Sequence, residues 1–541
     1  MTAPSRFPLL LFLCLSWLVP LECFTADEAG APPWIFYSVK HYGASGDGKQ
    51  MDTQAIQAAI GAAAEAGGGT VYFPAGTYLS ATLFLKNRIT LHLEAGATLL
   101  GSPDPAVYPE TRPKIRSYTD NYVTQSLIYG EDLEDVAITG RGAIDGQGAA
   151  FQWKEYRRRP YIIRLISCRN VLIEGVTLRN SAMWMQHYLA CENLTVRGIS
   201  VFNHVTYNND GIDVDGCRAV RIADCVFDSD DDALCLKSTT GRPTEDVTIT
   251  NCVLSSHCNA FKMGTESNGG FTDITATNCV IRPPRYSRST YGNQRGLAGI
   301  ALEIVDGGAL DRVSISHFTM QGISAPIFLR LGNRARPYEA GMPKPAIGSF
   351  QNVQISHITA TGVSHIGCSI TGLPEGKIKH VTLSDLDLEF EGGGTAEDAR
   401  RDVPLKPEAY PESSMFGVLP AYGFYCRDVE GLTFRSITLR RASPDARPAL
   451  VCGAVRDLVL EDVAVQGPEA EFPALAFQRV ENAWLRGCRA LSPLAVFLRV
   501  SDGTRDVSLT GCDLRSARNA VEFDPPELKT TFFESSNHLS H

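Results

Sequence analysis

Two acidic runs, Asn208-Asn209-Asp210-Gly211-Ile212-Asp213-Val214-Asp215 and Asp230-Asp231-Asp232-Ala233-Leu234-Cys235-Leu236-Lys237, stand about one repeat apart in a chain rich in short apolar alternations. Side-chain direction along a strand has period two. If Ile212 and Val214 take the same inward positions as Leu234 and Leu236, Asp210 therefore falls in register with Asp232. Carboxylates stacked on rungs roughly 5 Å apart repel. Such a cluster suits acid/base catalysis or cation binding, although Asp also caps turns and an aspartate ladder can be only that.

The elements that position these residues repeat. A polar residue, an alternating apolar strand and a small or polar corner recur from Asn170, Asn193, Ala219, Asp246, Asp273, Arg312, Asn352, His380, Gly431, Asp457, Asn482 and Asp506. The starts are 23, 26, 27, 27, 39, 40, 28, 51, 26, 25 and 24 residues apart, so one coil is near 25 residues. Short strands at that period, with no long helices between them, indicate an all-β parallel β-helix in which each coil buries its apolar column against the next. The Leu-x-x-Leu-x-Leu consensus of leucine-rich repeats is absent. The long intervals 273–312, 312–352 and 380–431 must hold projecting loops, which commonly build a binding cleft. Upstream, Asp52 is expected to N-cap a short alanine-rich helix that ends at Gly67-Gly68-Gly69, before Thr70–Tyr78 starts the sheet. That helix would cover the exposed end of the stack.

The chain has 541 residues, 44% apolar and 20% charged, with 48 glycines and a formal net charge of −10. The charge gives no reason to expect nucleic acid or an anionic membrane as partner. Arg6 followed by an apolar run to Val19 and then Glu22 reads as a secretory signal within 1–26, with a short membrane anchor as the alternative. One β-helix domain over 33–541 follows, with the catalytic coils at about 140–340 and further coils beyond. Thirteen of the 15 cysteines lie outside the signal, an odd number without CxxC spacing, and Cys225, Cys252 and Cys279 recur every 27 residues. A column of small buried side chains explains them better than disulfides or a metal site.

Gly142-Ala143-Ile144-Asp145-Gly146-Gln147-Gly148, Arg159-Pro160, Asn180-Ser181-Ala182-Met183-Trp184, Asn209-Asp210-Gly211 and Asp231-Asp232, in that order, resemble glycoside hydrolase family 28, the polygalacturonase family. The opening block resembles the wider pectate-lyase-like superfamily, and the likeness spans roughly residues 35 to 310. The resemblance implies a right-handed parallel β-helix with a short N-terminal capping helix, and an exported, secreted or periplasmic hydrolase acting as a monomer on a polysaccharide or oligosaccharide. It implies no cofactor and no metal. By position, Asp231 would be the general acid, with Asp210 and Asp232 activating water as an inverting enzyme does. An inverting pair keeps its carboxyls roughly 6.5–9.5 Å apart.

Two departures stand out. The family's Gly-His-Gly falls near Ser256–Asn259, where register puts the histidine at Cys258 or Asn259; His257 is either its substitute or a turn histidine. The Arg-Ile-Lys that grips a galacturonate carboxylate aligns with Ala301-Leu302-Glu303. Asp213, Cys235, Lys262 and Ala301 are expected to form one row, and Asp215, Lys237, Gly264, Glu303 and Arg330 the next. Lys262, Lys237 and Arg330 could then rebuild the anion site, or Glu303 could pair with Lys237 or Arg330 and bind sugar hydroxyls. Arg285, Arg288, Arg295, Arg334 and Arg336 in the loops are further sources of charge. Trp184 and His187 are candidates for a sugar platform and a polar contact, or for ordinary packing. Two other readings stay open: a Ca²⁺-dependent lyase or epimerase with Lys237 or Lys262 as base, and a noncatalytic carbohydrate-binding β-helix.

Overall fold

The computed structural model describes residues 36–286, 289–469 and 471–539; the signal reading at 1–26 and Arg288 lie outside these. The described strands join into one sheet of 41 strands in which every ladder is parallel. The repeat starts found in the sequence become one continuous ladder. Val171, Leu194, Val220, Val247, Ile274 and Val313 pair in succession, and the column runs on through Val353, Val381, Leu432, Leu458 and Ala483 to Val507. All are buried.

The polar residue opening each repeat has a physical reason. Asn170, Asn193, Asp246, Asp273, Asn352, Asp457, Asn482 and Asp506 all sit at φ between 56° and 57°. Asn and Asp tolerate this left-handed conformation better than other side chains do. They turn the chain into the next strand, and neighbouring corners cross-link: Asn193 Nδ2 donates to Asn170 Oδ1 at 2.8 Å. Cys225, Cys252 and Cys279 stack as expected, and all thirteen cysteines among the described residues are free and buried.

The helix Thr53–Glu65 packs Ile56, Ala59, Ile60 and Ala63 onto the first coil, and Gly67, Gly68 and Gly69 follow at positive φ. Asp52 does not cap it with its side chain; its carboxylate accepts instead from the Ser45 and Gly46 amides at 2.6 and 2.9 Å. The sheet begins before Thr70, because Phe36–Ser38 already pairs with 70–72. No helix among the described residues is long and apolar enough to cross a membrane. The three long intervals hold connections after the strands that end at Ile281, Leu331 and Phe390: among the described residues 282–286 and 289–295, then 332–348, then 391–423 with a short helix at Ala396–Ala399.

Candidate active site

Asp213–Asp215 pairs with Leu234–Ser238 so that Val214 faces Leu236 and Asp213 faces Cys235. Extending that register backward sets Asp210 beside Asp232, and the Gly211 amide donates to the Asp232 carbonyl at 2.8 Å. Gly211 is required there, since a Cβ would lie 2.4 Å from the Ala233 carbonyl oxygen. Asn209 fixes the corner from both sides. Its Oδ1 accepts from the Val205 and Thr206 amides at 2.8 Å, and its Nδ2 donates to the Ser181 carbonyl at 2.9 Å. Buried Arg159 reaches under the same corner to donate to the carbonyls of Ala182 and Tyr207. The asparagine and arginine motifs thus act through the backbone that carries Asp210.

One oxygen from each of Asp210, Asp231 and Asp232 lies within 4.8 Å of the others. That is closer than the roughly 6.5–9.5 Å expected between an inverting pair. All three line a cavity of about 400 Å³ with Tyr118, Tyr122, Tyr156, Trp184, Lys237, Glu266, Arg336 and Tyr410. Burial, then the neighbouring Asp232, pushes Asp231 up to about 6, although the Tyr291 hydroxyl, which donates to its Oδ2, pulls the other way. Burial and the neighbours Asp213 and Asp231 also hold Asp210 well above the carboxylate range. The cluster therefore retains a proton near neutral pH.

Trp184 and Lys237 reach this cavity, with the Lys237 ammonium 4.6 Å from the centre of a Trp184 ring. Burial opposes charge on Lys237, but Cys235, Glu266, Asp213 and Asp210 outweigh it, so the ammonium holds its proton. Its ion pairs are to Glu266 at 3.3 Å and Asp213 at 3.5 Å.

The other expected contacts are placed differently. His187 is fully buried against Asp215, at 3.0 Å, behind the cavity wall. His257 turns to Asp230, with Nδ1 3.0 Å from Oδ1, and Asn259 occupies the rung beside Asp232, donating from Nδ2 to Oδ1 at 2.9 Å. Lys262 is 1% exposed, held by Asp232 Oδ2 at 3.0 Å and by the Tyr410 hydroxyl at 3.3 Å. Glu303 is fully buried outside the cavity lining; its cation is Lys262, at 3.9 Å, rather than Lys237 or Arg330. Burial holds its carboxyl well above the usual range even though Lys262 opposes this. Arg330 donates to the carbonyls of Leu405 and Lys406 at 2.8 and 3.1 Å, so it anchors a loop instead of facing substrate.

All three long loops reach the site. Tyr291 comes from 282–295, Arg336 from 332–348, and Tyr410 and Glu412 from 391–423. Of the four expected loop arginines that are among the described residues, Arg336 lines the cavity. It pairs with Glu266 at 2.6 Å and stacks 3.5 Å from the centre of the Tyr118 ring. Arg334 pairs with Asp306, Arg295 with Glu391, and Arg285 is exposed.

Residues 36–281 match the family model described as rhamnogalacturonase A/epimerase, pectate lyase-like. Over those residues the coil stack is similar to the pectate-lyase-like β-helix proteins. A Vitis vinifera protein named "Probable polygalacturonase" is 35% identical over 237 residues, 39% of this chain and 48% of the relative. The exo-poly-alpha-D-galacturonosidase of Dickeya chrysanthemi is 27% identical over 38% of this chain and 43% of its own. The chain thus spans under half the length of these curated relatives. The crystal structure of a Thermotoga maritima exopolygalacturonase superimposes with a TM-score of 0.58 at 21% identity, covering 74% of this chain and 91% of that one, and shares the fold. Over these matched segments the chain is similar to polygalacturonases, the enzymes gathered in glycoside hydrolase family 28.

Proposed function

We propose that this chain is an exported glycoside hydrolase that cleaves a pectic polysaccharide, with Asp231 as proton donor and Asp210 and Asp232 holding the attacking water. One observation carries the reading: three carboxyl groups converge at the floor of a tyrosine-lined cavity, and the half-buried one, Asp231, is pushed up to about 6. A group poised there can protonate a leaving oxygen in mildly acidic medium. The tyrosines and Trp184 offer faces for the apolar sides of pyranose rings. Lys237 and Arg336 are the cations available to a sugar carboxylate, and Glu266 already pairs with both. Because both cations are already engaged by Glu266, the site favours a backbone in which acidic sugars alternate with neutral ones, as in rhamnogalacturonan, over a continuous polyanion.

Lyase chemistry is disfavoured because Lys237 and Lys262 are both held protonated among carboxylates, where neither can take a proton from carbon. The test is a product screen on polygalacturonan, methylated pectin and rhamnogalacturonan. New reducing ends that persist with a chelator and carry no ultraviolet-absorbing unsaturated sugar support the hydrolase; unsaturated products lost with a chelator would replace it with the lyase.

The short spacing of the carboxyls supports a second reading of the stereochemistry, in which one aspartate attacks directly and configuration is retained. Early proton NMR of the product anomer separates it from inversion. Export is tested by locating the mature protein outside the cytoplasm and sequencing its N-terminus.

A further inference from the structure

Behind the cavity, three corner residues form a column independent of the hydrolase chemistry. The strands Ser200–Asn203, Val226–Ser229 and Val253–Ser256 stack on successive coils, with Asn203 opposite Ser229 and Ser229 opposite Ser256. The residue after each strand is therefore one rung of a second column: His204, Asp230 and His257. Their side chains are 1%, 0% and 3% exposed.

We propose that His204 Nδ1, Asp230 Oδ1 and His257 Nδ1 bind a borderline divalent transition-metal ion of the Zn²⁺ class. These three atoms lie within 4.8 Å of one another, Asp230 Oδ1 being 3.0 Å from His257 Nδ1 and 3.8 Å from His204 Nδ1. Each is buried without a hydrogen-bond partner of acceptable geometry among the described residues. Two ligands about 2.0–2.1 Å from a common zinc ion are themselves about 2.8–3.4 Å apart at octahedral or tetrahedral angles. The shorter contact falls in that range, and a small ring rotation of His204 brings in the longer one.

The surroundings give a second, separate reason. His204 Nε2 lies 3.0 Å from Asp228 Oδ1, so a neutral ring carrying its proton on Nε2 would turn the Nδ1 lone pair toward an ion beside the Asp230 carboxylate. A carboxylate behind a ligating imidazole is the usual outer-shell arrangement at protein metal sites. The other Asp230 oxygen is already oriented, accepting from the Thr290 amide at 2.8 Å. The rings of His204 and His257 stand edge to face, 5.6 Å between centroids, on either side of the gap. Two imidazoles and one carboxylate select a transition metal over Ca²⁺ or Mg²⁺, which prefer oxygen ligands throughout. The ion would clamp three consecutive coils one residue before Asp231, and so hold the backbone of the proposed proton donor.

The test uses the intact protein, stripped with a chelator and titrated with Zn²⁺ against a chromophoric competitor. One zinc per chain and a zinc-dependent rise in Tm are expected. His257→Gln or His204→Gln should weaken binding by at least about 100-fold, Asp228→Asn by about 10- to 100-fold, and Asp210→Asn should leave it unchanged. Zinc retained by the histidine variants but lost in Asp210→Asn would place the ion on the aspartate cluster and overturn the proposal. So would a wild-type protein that holds no zinc, since a proton on His204 then bridges the two aspartates. If the histidine variants fail to fold, the wild-type absorption spectrum with Co²⁺ decides: bands of nitrogen coordination support the site, and their absence overturns it.

Discussion

Lys262 Nζ lies 3.0 Å from Asp232 Oδ2, with Glu412 and Glu303 at 3.8 and 3.9 Å, so an ammonium that sequence register offers to substrate is bound instead to a proposed catalytic carboxylate. Removing one partner of a buried pair leaves an uncompensated charge and costs about 3–5 kcal/mol. Lys262→Met is therefore expected to lower Tm and kcat together while KM for any substrate stays within a few fold. A large rise in KM with unchanged kcat would return Lys262 to the substrate subsite.

Asp231→Asn should reduce kcat by about 10²- to 10⁴-fold, the usual contribution of a general acid, with binding of an oligosaccharide nearly unchanged. The same variant has a stability signature. Asp231 titrates at about 6 in the folded protein against an ordinary 3.8, so its contribution to stability is full below about pH 3.8 and is lost as pH rises through about 6. Asparagine does not titrate. The variant should match the wild type in Tm near pH 3.5 and exceed it above pH 6. Wild-type kcat should itself fall as pH rises through about 6, because the donor must carry its proton.

Asp210 and Asp232 sit on adjacent rungs joined by the bond from the Gly211 amide to the Asp232 carbonyl. If they hold one water between them, the double Asn variant should be scarcely slower than either single variant, as for residues that act as a unit. Defects that multiply would mean separate tasks. Single-turnover rates on an oligosaccharide of defined length measure this.

The legible part of the molecule was its local, periodic part. The register of Asp210 with Asp232 and the buried ladder from Val171 to Val507 follow from a two-residue alternation and a 25-residue period, and both recur in the strand pairing. The cavity wall was not legible, because loops distant in sequence build it. Tyr410 and Glu412 arrive about 150 residues after Lys262, and their one trace in the sequence is the 51-residue interval after His380. Of the two readings the sequence leaves open for His187, the structure takes packing, for a related reason. Alternation puts it on the outward row, but the rings of Tyr161 and Trp184 pack against it and Asp215 holds its Nε2.

Under the proposed function, substrate choice turns on Arg336 and Glu266. Where the polygalacturonase family's Arg-Ile-Lys is expected, this chain has Ala301, packed on Phe328, and Glu303, buried away from the cavity, so no cation comes from that strand. Arg336 reaches the cavity from the 332–348 loop, but its guanidinium is held by Glu266 at 2.6 Å and by the face of Tyr118. A galacturonate carboxylate must share that guanidinium with Glu266, and like charges at such range repel strongly. Plain polygalacturonan should accordingly be hydrolysed more slowly than a pectic backbone that alternates with neutral sugars. Arg336→Ala should raise KM for galacturonate-containing oligomers by about tenfold or more, the loss of one charge-assisted contact of about 1.5–3 kcal/mol, whereas Arg330→Ala should lower Tm and leave KM alone. Rapid turnover of plain polygalacturonan that is indifferent to Arg336→Ala would show that another group grips the carboxylate.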